Sequence, residues 1–253
     1  MRATYNVYDV LECFPVQTLR NDLMRWWCHG KRQFPWRGTS DPYRVLVAEV
    51  LLHRTRADQV VPLYELFLMR FPNVQALARS TPDELLRLFH SAGLQWRWKL
   101  LHAMSVELET RFNRQIPEDL AQLISLPGVS HYIASAVRCF AFGYPDAILD
   151  TNTVRVTGRL LGLVTTDSSR RSRLFRDILQ SLIDPDNPRD FNFALIDFAA
   201  TICTAKSPLH LECPLRGYCR SSQQTTRKIN TADITASRMG AGKTWTGSSS
   251  SSI

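Results

Sequence analysis

The chain of 253 residues is 44% hydrophobic and 21% charged, which excludes a disordered or fibrous protein and leaves room for one large domain or two small ones packed together. Its longest apolar stretch, Val45 to Leu52, is broken by Glu49 and falls far short of the roughly 18 residues of a membrane span. Lys and Arg number 31 against 23 Asp and Glu, a net charge of +8 with a pI of about 9.4, and that balance favours a polyanionic partner.

The charge is unevenly spread. From residue 204 onward seven Lys and Arg oppose only Glu212 and Asp233, so +5 of the net +8 lies there and +3 in residues 1–203. A folded part that is only mildly cationic suits a protein that grips a few phosphates rather than one coated in nucleic acid. The first residues, MRATYNVYDVLECF, show no basic flank leading into an apolar run. The expected setting is therefore the reducing cytosol, where six cysteines suggest metal rather than disulfides.

Along the first 220 residues the apolar spacing stays near 3.6 and never alternates for long, which predicts successive helices and an all-α fold. Asp41-Pro42 supplies an N-cap and a first-turn proline ahead of YRVLVAEVLL. Thr81-Pro82-Asp83-Glu84 does the same ahead of LLRLFHSAG with a capping box, and Gly93 is placed to end that helix. Pro117 is expected to open EDLAQLI. A helix over 130–142 should end at Gly143, and Asp150 stands as N-cap to TNTVRVTGRLLG. From Ser221 the composition changes: fourteen of the last 33 residues are Ser or Thr, which reads as a disordered tail. Its MGAGKT lacks the first glycine of a phosphate loop, Ser237 standing there, and no strand precedes it.

Four features carry chemistry. Leu126-Pro127-Gly128-Val129-Ser130 makes a tight hairpin before His131-Tyr132-Ile133-Ala134; it is either a plain helix connection or a way to aim the amides of Gly128 and Ser130 at a phosphate. Glu49 shares the apolar face of Val45, Leu46 and Leu52, so it either pairs with a buried cation or lines a pocket with a raised pKa. Asp150 caps a helix, and with Asn152 two residues on it could also be fixed at a set distance from the hairpin to stabilise a cationic sugar. Cys203, His210, Cys213 and Cys219 follow C-x6-H-x2-C-x5-C, a set for an iron-sulfur cluster, for zinc, or for reduced thiols. Cys13, Cys28 and Cys139 are scattered and read as buried small apolar residues.

Taken together, FPWR with DPYRVLVAEVLLHRT, LPGVSHYIASAV and AILDTNTVRVTGRL resemble, in order and over about Phe34 to Cys219, the helix-hairpin-helix DNA glycosylases of the endonuclease III and MutY superfamily. The resemblance implies two helical subdomains with a DNA-binding cleft between them. Residues 40–142 with the hairpin 126–130 would form one, 1–39 with 143–202 the other, followed by a metal-cluster loop at 203–219 and the tail at 221–253. It further implies that Asp150 stabilises the sugar cation or activates water, fixed by Asn152, that Glu49 is the pocket glutamate, and that Gly128, Ser130, His131 and Arg155 meet DNA.

Tyr132 occupies a position where glycosylase-lyases of this superfamily carry lysine, MutY enzymes usually serine and the thymine-mismatch branch tyrosine. His53 and Arg54 stand where adenine glycosylases have paired glutamines. Gln95 and Trp96 fall in the segment that usually lines the base pocket. No second domain of the MutY kind is present in the sequence. The implied activity is a monofunctional DNA glycosylase of base excision repair that flips and removes thymine or uracil mispaired with guanine. The alternatives are adenine removal opposite 8-oxoguanine and a non-catalytic lesion-binding module. The implied cofactor is a 4Fe-4S cluster in which His210 replaces the second of the family's four cysteines, with zinc or no metal as alternatives. The implied partner is double-stranded DNA met by a monomer away from any membrane, in the cytoplasm at the nucleoid or in a nucleus.

Overall fold

The computed structural model describes residues 7–53, 55–90 and 95–223. Among the described residues there are twelve α-helices and no strand. In chain order they are α1 (Val7–Leu11), α2 (Val16–Gly30), α3 (Pro42–Leu52), α4 (Ala57–Arg70), α5 (Val74–Ala78), α6 (Pro82–His90), α7 (Gln95–Arg111), α8 (Leu120–Ser125), α9 (His131–Phe142), α10 (Thr151–Leu161), α11 (Arg173–Leu182) and α12 (Pro188–Thr201). No helix among the described residues is long and apolar enough to cross a membrane.

Local chemistry sets most helix starts. The Asp41 carboxylate accepts from the amides of Tyr43 (2.8 Å) and Arg44 (3.1 Å), and Pro42, with no amide hydrogen to satisfy, opens α3. Thr81 and Glu84 each accept from the other's amide ahead of α6, the expected capping box. Gly143 ends α9 in the left-handed region at φ 78°, and Asp150 caps α10. One start differs from expectation. Helix α8 begins at Leu120 behind an Asp119 cap, not at Pro117. The reason is tertiary: the Glu118 carbonyl accepts from Arg138 and the Glu118 carboxylate from Tyr144, which hold this stretch against the end of α9 before the helix can start. Gly93 and the MGAGKT segment lie outside the described residues. Residues 221–223, assigned to the tail by composition, turn back, with the Ser221 amide donating to the Arg159 carbonyl at the end of α10.

Packing sorts the helices into two groups. In one, α3 lies against α4, α7 and α9, with α5 and α6 on α7 and α8 on α9. In the other, α12 packs on α2 and α10, and α11 on α1 and α10. Contact between α9 and α12 joins the two. The buried positions follow the helical period, as in α11, where Phe175, Ile178, Leu179 and Leu182 form one stripe. By contrast α3 is buried over seven consecutive residues from Val45 to Leu51, so any polar residue among them must be accommodated inside.

A second acidic residue is hidden in α12. Asp197 is fully buried and accepts from Trp27 Nε1 (2.9 Å), the Arg32 amide (3.2 Å) and both terminal nitrogens of Arg37 (2.7 and 2.8 Å). The Arg37 guanidinium also lies over the rings of Phe34 and Phe193. This forked ion pair ties the FPWR segment to α12. Removing one partner of such a pair leaves a buried charge uncompensated. Asp197→Ala is therefore expected to cost about 3–5 kcal/mol of stability, measured as the loss in the free energy of urea unfolding.

Candidate active site and C-terminal loop

Three helices bring the expected acid groups together. Glu49, in the last turn but one of α3, is 4% exposed, and its Oε2 has no hydrogen-bond partner among the described residues. Burial pushes its carboxyl up to about 7; the nearby Asp150 charge raises it further, while the Tyr132 phenol within hydrogen-bonding reach and the Arg37 charge act the other way. Tyr132, half-buried in the first turn of α9, has its own pKa raised well above the ordinary value by burial and then by Glu49 and Asp150. Glu49, Tyr132 and Asp150 thus sit within one another's fields although 83 and 18 residues separate them in sequence.

Asp150 is held from several directions. Its Oδ1 accepts from the amides of Asn152 (2.8 Å) and Thr153 (2.7 Å), and its Oδ2 from Asn152 Nδ2 (2.8 Å). Thr153 Oγ1 accepts from the Asp150 amide in return, closing a capping box. Asn152 is anchored in turn, its Oδ1 accepting from Arg155 Nη1 (2.9 Å). Arg155, expected at the DNA, points its other donors inward to the carbonyls of Ala199 (2.8 Å) and Cys203 (3.0 Å). A continuous chain of hydrogen bonds therefore runs from the Asp150 carboxylate to the first cysteine of the C-terminal loop.

The hairpin has the geometry of a tight connection. Gly128 adopts φ 77°, and a Cβ there would stand 2.9 Å from Leu100 Cδ1, so both the backbone angle and the close approach of α7 require glycine. The Ser130 hydroxyl caps α9 by accepting from the Ile133 amide (3.3 Å). The amides of Gly128 and Ser130 donate to no described residue, and both residues are exposed. His131, exposed beside them, has its pKa lowered by partial burial and by Arg176. At the other edge His53 is exposed where α3 ends. Arg54 lies outside the described residues, as do the side chains of Gln95 and Trp96.

Cys203, His210, Cys213 and Cys219 line one cavity together with Ile202 and Leu209. Cys203 and Cys219 are buried, Cys213 half-buried and His210 exposed. Of the scattered cysteines expected to be buried, Cys139 is, but Cys13 and Cys28 are exposed, Cys28 lying on the outer face of α2 away from Leu19, Leu23 and Trp27. Arg159 on α10 donates to Cys203 Sγ (3.4 Å) and to the carbonyls of Thr204 (2.6 Å) and Ala205 (2.9 Å), an arrangement that favours a sulfur carrying negative charge. Among the described residues no three His, Cys, Asp or Glu side chains are grouped to hold a single metal ion.

The sequence reading missed three arginines and one acid that shape this region: Arg37, Arg97, Arg159 and Asp197. Asp197 carries the same signal that singled out Glu49, an acidic residue on the apolar face of FNFALIDFAAT. The arginines carry no such signal, because a long side chain on an amphipathic helix reads as solvent-facing until its partners are known.

Residues 47–181 match the HhH-GPD superfamily of base excision DNA repair proteins. The chain belongs to this superfamily. Residues 203–219 of this HhH-GPD protein also match the iron-sulfur binding domain of endonuclease III. A thymine-DNA glycosylase of Aeropyrum pernix is 40% identical over 212 residues, which cover 81% of this chain and 94% of that protein. A thymine/uracil-DNA glycosylase of Pyrobaculum aerophilum is 40% identical over 203 residues, 78% of this chain and 87% of that protein. An adenine DNA glycosylase of Mycolicibacterium smegmatis is 35% identical over 203 residues, 79% and 68% of the two chains. Among solved structures, that of a thermostable thymine-DNA glycosylase superposes with a TM-score of 0.76 at 28% identity, covering 83% of this chain and 97% of that one.

The buried Glu49 links this site to stability. Folding raises its carboxyl from 4.5 to about 7, so the stability present below pH 4.5 is lost as the pH rises through about 7, roughly 3 kcal/mol in all at about 1.4 kcal/mol per pH unit. Glu49→Gln, neutral at every pH, is expected to match the native protein's stability near about pH 4 and to exceed it by up to about 3 kcal/mol at about pH 8. Urea unfolding at the two pH values measures this.

Proposed function

We propose that the protein is a monofunctional DNA glycosylase that hydrolyses the N-glycosidic bond of a thymine or uracil mispaired with guanine. The observation that carries this reading is the convergence of Glu49, Tyr132 and Asp150 from three helices beside the hairpin of an HhH-GPD chain. The two 40% identical relatives, named for thymine and for thymine or uracil, support the choice of base.

The chemistry follows from the residues. A glycosylase must turn its target base out of the stack, which costs a few kcal/mol and least at a mismatch. The free amides of Gly128 and Ser130, with His131 beside them, would hold a backbone phosphate. His53 and Arg54 would enter the duplex, and Gln95 and Trp96 would face the extruded base. As the bond from C1′ to the pyrimidine N1 breaks, its electron pair leaves with the base, and positive charge grows on the sugar. Asp150, its carboxylate fixed by three hydrogen bonds, stabilises that charge without having to reorganise. Glu49, with a pKa near neutrality, can give a proton to the leaving base and take one from the water that adds to C1′. Tyr132 shapes the floor between them. A phenol cannot form the Schiff base that a lysine amine would, so the abasic strand is left intact.

The C-terminal loop fits the cofactor suggested by its match to an iron-sulfur binding domain, since three thiols and one imidazole line one cavity and one sulfur accepts from an arginine. Cys203, His210, Cys213 and Cys219 would hold a 4Fe-4S cluster. When bound, the cluster supplies a rigid cross-link of the loop, and the hydrolysis draws no electron from it.

The test is single-turnover base release from duplexes carrying G:T, G:U, A:8-oxoguanine and G:C pairs, with and without alkali. Strand breaks that appear only after alkali, on G:T or G:U, are expected. Release from A:8-oxoguanine instead would establish adenine excision, and breaks without alkali would establish a lyase. Asp150→Asn is expected to lower the excision rate by about 100-fold or more while DNA affinity is retained.

A further inference from the structure

Arg97 is the largest side chain sealed inside the described structure, at 2% exposure. It stands in the first turn of α7, yet its donors reach back to one short segment on another element. Nη1 donates to the Leu51 carbonyl (2.7 Å) and to Thr55 Oγ1 (3.0 Å), and Nη2 to the His53 carbonyl. The last carbonyls of a helix have no partner within it, so the end of α3 is capped by a guanidinium from a distant helix. The Thr55 amide also donates to the Leu52 carbonyl (3.0 Å), so Leu51, His53 and Thr55 are held by Arg97 and Leu52 by Thr55.

What is pinned matters for the reaction. The same helix end carries Glu49 two residues before Leu51, and the same turn presents His53 outward with its carbonyl drawn inward. A peptide unit held by its oxygen restricts the backbone from which the His53 side chain projects. We infer that Arg97 is a positioning residue for mismatch recognition, holding the backbone of His53 and the side chain of Thr55 in place so that the exposed His53 is presented to the duplex from a fixed end of α3, the helix that also carries Glu49. The inference rests on the glycosylase reading, and it assigns to Arg97 no contact with DNA. A misplacement of about 1 Å at such a support can cost on the order of 100-fold.

The test uses the full chain with Arg97→Gln, Arg97→Lys and Thr55→Val, and duplexes with a central G:T or a matched pair flanked by 2-aminopurine, whose fluorescence rises when the stack opens. In folded Arg97→Gln the fluorescence rise is expected to be lost and the ratio of mismatched to matched affinity to fall about tenfold or more, with Arg97→Lys recovering part of both. Excision of uracil from single-stranded DNA, which needs no stack to be opened, is expected to fall much less. A folded Arg97→Gln with unchanged fluorescence and an unchanged ratio would overturn the inference, as would an equal loss on single-stranded and mismatched DNA. Should Arg97→Gln fail to fold, Thr55→Val decides: it removes one of the acceptors, and a reduced ratio supports the inference while an unchanged one overturns it. Base release by the unaltered protein tests the glycosylase reading separately, because binding and fluorescence need no bond cleavage.

Discussion

An all-helical protein with short connections must do something with the carbonyls that each helix leaves unsatisfied at its C-terminal end. Here arginines from elsewhere in the chain supply the answer repeatedly. Arg20 donates to carbonyls 181–183 at the end of α11, Arg97 to Leu51 and His53 at the end of α3, Arg155 to Ala199 and Cys203 around the end of α12, and Arg220 to Leu161 at the end of α10. Arg189 holds Arg37 and Thr39 in the same way. A planar fork with five donors can satisfy two or three carbonyls at once and can be packed against apolar side chains, which a lysine does poorly. The helices are thus tied end to side, and a functional group near any helix end inherits a fixed position.

This constraint recasts the meaning of the charge. An excess of positive residues suggested a polyanionic partner, and the superfamily to which the chain belongs agrees with it. Yet many of the arginines turn inward, to carbonyls at helix ends and to Asp197, so their donors are already engaged within the fold. The modest charge of residues 1–203 is consistent with recognition through a hairpin and a few exposed side chains rather than through a broad basic surface.

Helix α10 shows how far the same device reaches. Asp150 caps its start and is fixed by Asn152; Arg155 ties Asn152 to the end of α12; Arg159 one turn beyond supports Cys203 and the loop carbonyls. Asn152, Arg155 and Arg159 lie on one face of one helix at spacings of three and four residues. Position at the acid and order in the C-terminal loop are consequently physically connected. Glu49 is the opposite case: burial without an ion partner of its own raises its carboxyl to about 7 at a cost in stability, whereas the charge of Asp197 is matched by a forked arginine.

The sequence by itself determined the helical class and most helix starts, because caps, first-turn prolines and apolar spacing act within a few residues of one another. Asp41, Glu84, Ser130, Gly143 and Asp150 all hold their places through bonds to atoms one turn away. It also placed Cys203, His210, Cys213 and Cys219 in one loop, since their spacing is short. Tertiary structure alone decided the rest. The delayed start of α8 depends on Arg138 and Tyr144, the inward turn of Arg155 on carbonyls about 45 residues away, and the support of the His53 turn on Arg97 across the mouth of another helix. Each of these is a bond between a long flexible side chain and a distant backbone atom, and neither periodicity nor spacing encodes which distant atom will be there.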